Sequence, residues 1–190
     1  MGRLTARLAS RNDNKLRELA RVLGSWDLGL VDVDRYPPEE GSTYYENALA
    51  KARYGLRFID HGWVLGEDSG IEVDGLGGAP GIRSARFGGE DPVGRLLAEL
   101  RAVEGDGRRG RYVCELVALS PSGEEARGTG VLEGRIAEEP AGSEGFGYDP
   151  IFVPDGEDST VAELGNAWKA LNSHRARAAR ALLEAFAAGY

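Results

Sequence analysis

The sequence predicts an α/β (α+β) protein: a mixed β-sheet with flanking helices. Short stretches alternate in polarity as strands do, beginning with Leu4, Ala6 and Leu8. Other stretches repeat apolar residues at helical spacing behind good N-cap residues. The order mixes helices with hairpins, so a purely parallel sheet is not expected.

In chain order, residues 3–8 read as a strand. Leu16, Leu19, Ala20 and Leu23 then mark one face of a helix that Gly24 closes. A second helix opens at the capping box Thr43-Tyr44-Tyr45-Glu46, with Tyr45, Leu49, Ala52, Leu56 and Ile59 as its apolar stripe. Residues 63–65 and 71–73 read as two strands joined by a glycine-rich acidic loop. Asp91-Pro92 supplies an N-cap and a first-turn proline for a third helix, which turns Leu96, Leu97, Leu100 and Val103 inward. Residues 111–119 and 126–132 form a hairpin about Pro121-Ser122-Gly123. Residues 151–153 are a short strand, Thr160 and Glu163 frame a second capping box, and Ser173 can cap an alanine-rich last helix. Without repeats or long linkers, residues 1–190 read as one continuous domain.

The bulk composition narrows the function. The 190 residues carry a net charge of −8 and a single cysteine, Cys114. The charge argues against polymeric nucleic acid, while a small anion needs only local positive charge. One cysteine allows no intrachain disulfide and points to a reducing, cytoplasmic setting. The N-terminus is too polar for a signal peptide, Ala6 breaks the myristoylation pattern begun by Met1-Gly2, and no apolar run approaches a membrane span. Of 23 basic residues only three are lysine: Lys15, Lys51 and Lys169. An ammonium is a compact point charge suited to a phosphate oxygen, so each lysine is a candidate ligand contact, although residual surface lysines would give the same count.

Five segments carry chemistry. Ser10-Arg11-Asn12-Asp13-Asn14-Lys15 joins a strand end to a helix start, where an anion is favoured and a first-turn lysine is not. An ordinary capped turn accounts for the same residues, and no Walker loop is present. Lys51 follows Asn47 by four residues, so both share a helix face. Residues 64–81 combine glycines with Glu67, Asp68, Glu72 and Asp74, and Glu39 lies upstream. Carboxylates that repel phosphate suit a divalent metal bridging to phosphate, although a solvated, inert acidic hairpin would carry the same residues. Gly145-Phe146-Gly147-Tyr148-Asp149 offers aromatic faces and an acceptor for a base, although aromatics beside a strand more often fill a core. Ser173-His174-Arg175 puts cationic groups in a helix's first turn, the wrong dipole end unless they face a ligand.

Together these pieces resemble the inosine triphosphate pyrophosphatase-like family, which acts on non-standard purine nucleoside triphosphates. The matching segments are SRNDNK (10–15), EEGSTYYENALAKA (39–52), GEDSGIEVDGLGGAPGIRSARFGG (66–89), GFGYDPIFVP (145–154), TVAEL (160–164), Lys169 and SHR (173–175). The resemblance implies hydrolysis of ITP, dITP or XTP to the monophosphate and pyrophosphate with Mg²⁺. It also implies an elongated fold of two lobes around a central substrate cleft, usually in a homodimer. Carried over by motif, Asp68 is the general base, and Glu39 and Asp68 hold the metal. Ser10, Asn12, Lys15, Lys51 and Ser69 meet the phosphates or neighbouring atoms. Phe146, Gly147, Tyr148, Asp149, Lys169, His174 and Arg175 read base and sugar. Glu67 stands where the family usually has Asp and receives no role, and Ala167-Trp168 replace common acidic residues. A nucleotide-binding sensor on the same fold, or a pyrophosphatase for other altered nucleotides, are the rival readings.

Overall fold

The computed structural model describes residues 3–189. Met1-Gly2, where the N-terminal readings begin, lies outside the described residues. The chain forms β1 (Thr5–Leu8), α1 (Asp13–Val22), β2 (Asp27–Leu30), α2 (Tyr44–Gly55), β3 (Trp63–Val73), α3 (Pro92–Glu99), β4 (Arg109–Leu119), β5 (Glu125–Ile136), β6 (Phe152–Pro154), α4 (Val161–Asn172) and α5 (His174–Ala188). The six strands follow the order β2-β1-β3-β4-β5-β6. The sheet is mixed as expected: β1 runs parallel to β2 and β3, while β5 and β6 are antiparallel, with Ile136 opposite Phe152. No helix of the described residues is long and apolar enough to cross a membrane.

By contacts the chain divides into two units, and the divisions fall inside β3, β4 and β5 and after the first residue of α5. The first unit comprises residues up to Asp68, Cys114–Gly130 and Arg175 onward. Two apolar clusters fill it. One joins Leu8, Leu65 and Leu116 to Leu19 of α1 and Leu182 of α5; the other joins Val64 and Val117 to Ala48 and Ala52 of α2. Leu65 and Val64 are neighbours on one strand, so strand alternation sends them to opposite faces. Helices α1 and α5 therefore cover one face of the sheet in this unit and α2 covers the other. The second unit holds Ser69–Val113 and Val131–His174, with one cluster built from Ile71, Val73, Leu96, Leu100, Tyr112, Ile151 and Phe152.

Asn12 caps α1, and the expected caps form at α3 (Asp91, with Pro92 in the first turn) and α4, where Thr160 and Glu163 close a full capping box. At α2 only half of the expected box forms. Thr43 accepts from Glu46 N, but the Glu46 carboxylate turns to Ser42 N and Oγ, two donors one residue further out. The principal correction concerns residues 63–73, expected as two strands around a loop. They form one continuous strand. Gly66 lies against the backbone of α2, where any Cβ would meet the Ala48 carbonyl, so its glycine marks close packing and not a turn. The turn comes later, at the 3-10 segment Asp74–Leu76. The strand expected at 151–153 starts one residue on, because Asp149–Ile151 forms a 3-10 turn.

Candidate active site

Because β3 runs unbroken through the acidic stretch, its adjacent carboxylates part company. Glu67 continues the face of Trp63 and Leu65 toward α1 and α5, and Asp68 continues the face of Val64 toward α2. The side-chain partners agree with this division.

On the α2 face, Asn47 and Lys51 reach Asp68 from successive turns of the helix. Asn47 Nδ2 donates to Asp68 Oδ2 at 3.0 Å and Lys51 Nζ to Oδ1 at 2.9 Å. Lys51 also donates to the Glu67 carbonyl at 3.0 Å and pairs with Glu39 Oε1 at 2.5 Å. Glu39 is supplied by the segment before α2, between β2 and the helix. Burial pushes the Asp68 carboxyl above its ordinary value; Lys51 and Asn47 oppose this, and Glu39 adds to it. The Lys51 ammonium is disfavoured by burial, yet Asp68, Glu67 and Glu39 together raise its pKa.

On the opposite face Glu67 is fully enclosed. Its Oε2 lies 2.5 Å from Lys15 Nζ, and its Oε1 accepts from Arg175 Nη2 at 2.9 Å and Nε at 3.1 Å. The third arm of the fork, Arg175 Nη1, pairs with Glu18 of α1 at 2.5 Å. Burial opposes the charge on Glu67, but Lys15, Arg175 and Lys51 outweigh it and hold the carboxyl well below the usual range. The first-turn lysine thus has a carboxylate of the chain beside it. The turn before α1 is built as a cap: Asn12 Oδ1 accepts from Asn14 N and Lys15 N, and Ser10 Oγ accepts from Asn12 N.

In the second unit a different group converges on Asp149, which is 3% exposed. Its Oδ2 accepts from Lys169 Nζ at 2.6 Å and from Phe146 N at 2.8 Å, and its Oδ1 from the Tyr112 hydroxyl at 3.3 Å. The Lys169 ammonium lies 4.6 Å from the centre of the Phe146 ring. Gly145 has φ +82°, and a Cβ there would run into the Asp149 carboxylate, so only glycine allows this loop to close. Tyr148 is buried and donates to the Ser84 carbonyl at 3.0 Å; burial raises its pKa to about 12. His174 stacks on Tyr112 with ring centres 4.5 Å apart and planes 9° from parallel. Lys169 reaches Asp149 from α4, which breaks at Gly165 (φ 83°); the Glu144 carboxylate caps the restarted helix by accepting from Asn166 N at 2.8 Å and Nδ2 at 2.7 Å.

The structure therefore gathers Glu39, Asp68, Lys51 and, on the other face of the strand, Lys15 in the first unit. It gathers Phe146, Tyr148, Asp149, Lys169 and His174 in the second. Arg175, in the first unit, pairs its guanidinium with Glu67 and Glu18. Ser69 follows Asp68 on β3, and Gly147 is exposed in its loop. Asn47, Glu18, Tyr112 and Glu144 take part without having been singled out for a role in the sequence. The i, i+3 spacing of Lys15 and Glu18, and the i, i+4 spacing of Asn47 and Lys51, were the signals available.

Among the described residues no group of three or more His, Cys, Asp or Glu side chains converges as a metal site. Glu39 and Asp68 nevertheless meet at one cation, Lys51, so two hard oxygen donors already share a positive charge. That donor set suits Mg²⁺, which keeps waters and takes one or two carboxylates together with substrate phosphates. Glu67 faces away from this pair.

The chain's relatives agree with one another. The model of the Ham1 family matches residues 6–185. A dITP/XTP pyrophosphatase of Nocardia farcinica is 46% identical over 194 residues, covering 95% of this chain and 94% of that protein. One of Bdellovibrio bacteriovorus is 40% identical over 188 residues, covering 93% and 94%. The structure of a HAM1 protein from Coxiella burnetii superposes with a TM-score of 0.84 at 32% identity, over 97% of this chain and 99% of that one. With a family match across nearly its full length and relatives this similar end to end, the chain belongs to the Ham1 family.

Proposed function

We propose that this protein hydrolyses non-standard purine nucleoside triphosphates, ITP, dITP and XTP, to the monophosphate and pyrophosphate. The observation that carries the reading is Asp68, a buried carboxylate held by Asn47 and Lys51 beside Glu39. Relatives that match end to end are dITP/XTP pyrophosphatases. In the proposed reaction Asp68 takes a proton from water, whose oxygen attacks the α-phosphorus. The bond from that phosphorus to the bridging oxygen breaks, and pyrophosphate leaves. Mg²⁺ held by Glu39 and Asp68 would neutralise phosphate charge. Lys51 and Lys15 supply positive charge to the triphosphate, with Ser10, Asn12 and Ser69 as neighbouring polar groups. The group around Phe146, Tyr148, Asp149, Lys169 and His174 is assigned to base and sugar. A 6-oxopurine presents O6 as an acceptor and N1–H as a donor; adenine reverses both and would leave buried polar groups unpaired. We extend the reading to a cytoplasmic homodimer, which sedimentation and fractionation test.

The experiment is turnover of ITP, XTP, dITP, GTP and ATP with and without Mg²⁺, with pyrophosphate and orthophosphate assayed separately. Metal-dependent pyrophosphate release from ITP or XTP, with little from ATP, is expected. Orthophosphate as the first product, or no turnover, refutes the reaction. Asp68→Asn is expected to lose roughly 10²–10⁴-fold in kcat while still binding nucleotide; activity near wild type would remove Asp68 as the base.

A further inference from the structure

We infer that Tyr112, in β4, is a positioning residue for base recognition: its ring sets the plane of His174 and its hydroxyl holds Asp149. The inference rests on the assignment of this group to the base. Tyr112 is packed on two sides. Phe152 meets it at 4.6 Å with the planes tilted by 52°, and His174 lies flat against it at 4.5 Å and 9°. A tilted contact of the first kind is ordinary core packing. The flat one restricts the imidazole to a plane, and hence the directions in which its ring nitrogens can act.

The hydroxyl argues against a purely apolar role. Tyr112 is 6% exposed, and a buried hydroxyl is costly unless it is bonded, so a phenylalanine would fill the same space at less expense. Here the hydroxyl reaches Asp149 Oδ1 at 3.3 Å. The same carboxylate receives Phe146 N and Lys169 Nζ on Oδ2, and Lys169 lies over the Phe146 ring. Tyr112 thus connects the imidazole to the carboxylate that organises the aromatic loop and its lysine. Small displacements of a binding group are costly in affinity because the geometry was fixed beforehand.

The test compares wild type, Tyr112→Phe and Tyr112→Leu for kcat and KM on ITP and ATP, with NMR of the His174 ring in the unliganded protein. Tyr112→Phe keeps the stack and loses the bond to Asp149. We expect KM for ITP to rise roughly three- to tenfold, the ITP-to-ATP preference to shrink with it, and the His174 ring resonances to stay near their wild-type positions. Tyr112→Leu loses both, so the ring-current displacement of His174 disappears and the preference falls further. A residue that only fills the core would lower stability without moving the KM-to-kcat split or the preference. The inference is overturned if Tyr112→Phe, which preserves the packing, retains wild-type KM and preference while wild type discriminates ITP from ATP. If wild type itself does not discriminate, the assignment of the base-binding group fails and takes the inference with it.

Discussion

Removing the Lys169 ammonium tests the second unit's charged core most directly. Lys169 is 2% exposed and Asp149 3%, with 2.6 Å between Nζ and Oδ2. Lys169→Met keeps the volume and removes the cation, leaving a carboxylate buried without it. Breaking such a pair from one side costs about 3–5 kcal/mol. The lower end applies, because Phe146 N–H and the Tyr112 hydroxyl still donate to Asp149. A loss of about 3 kcal/mol, at a urea dependence near ~2 kcal/mol per molar, moves the midpoint down by about 1.5 M. Far-UV circular dichroism in metal-free, nucleotide-free buffer reads this out. The double variant Lys169→Met/Asp149→Asn removes the stranded charge, while the asparagine oxygen still accepts from Phe146 N. It should therefore be more stable than Lys169→Met alone, with a coupling of about 2 kcal/mol or more. A loss under about 1 kcal/mol in the single variant, or losses that simply add in the double, would refute the assignment of Lys169 as the counter-ion of Asp149.

Three further outcomes are expected. Glu67→Gln keeps an oxygen for Arg175 but removes the charge that Lys15 and Arg175 share, and should cost about 3 kcal/mol in the same urea assay; an unchanged midpoint would mean that Glu18 alone satisfies the guanidinium. Glu144→Ala uncaps the helix restarted after Gly165 and should cost about 1 kcal/mol, with faster hydrogen exchange at the Asn166 amide as the specific sign. Tyr148 and Tyr36, both raised to about 12 by burial, should ionise late in a spectrophotometric titration. Unfolded tyrosines ionise near 10, so the stability these two contribute is intact below pH ~10 and is lost as pH rises toward 12. Tyr148→Phe should remove part of the late phase, and a titration complete by pH ~11 would contradict the burial.

Helix positions were legible in the sequence because their signals are local. Asn12, Thr43, Asp91 and Thr160 all cap the helices that follow them. Residues 63–73 misled for an equally physical reason. Gly66 and Gly70 look like turn formers, but Gly66 is required by the backbone of α2, which lies 18 residues earlier in sequence at Ala48 and leaves no local mark. Reading a loop there made Glu67 and Asp68 neighbours in one acidic cluster. Reading a strand separates them onto two faces, and with them the lysines they bind.

The lysines show what composition can and cannot carry. Their scarcity among so many arginines suggested that they were not surface residues, and none is: their side chains are 17%, 16% and 2% exposed for Lys15, Lys51 and Lys169. Each faces a carboxylate. Which carboxylate was not legible, since Lys15 meets Glu67 from a helix that begins five residues after β1, and Lys169 meets Asp149 across a broken helix. The distinction matters for the chemistry. Lys51 divides its charge between Glu39 and Asp68, so a divalent ion taking those two oxygens would displace the ammonium from both and turn it toward a phosphate. Lys15 and Lys169 pair with other buried carboxylates, Glu67 and Asp149, which are not among the proposed metal ligands. The three lysines are alike in sequence bias, but the carboxylates that Lys51 holds, Glu39 and Asp68, are the ones proposed to take the metal. Replacing it by arginine, whose planar fork could hold both carboxylates at once, should therefore impair turnover more than folding.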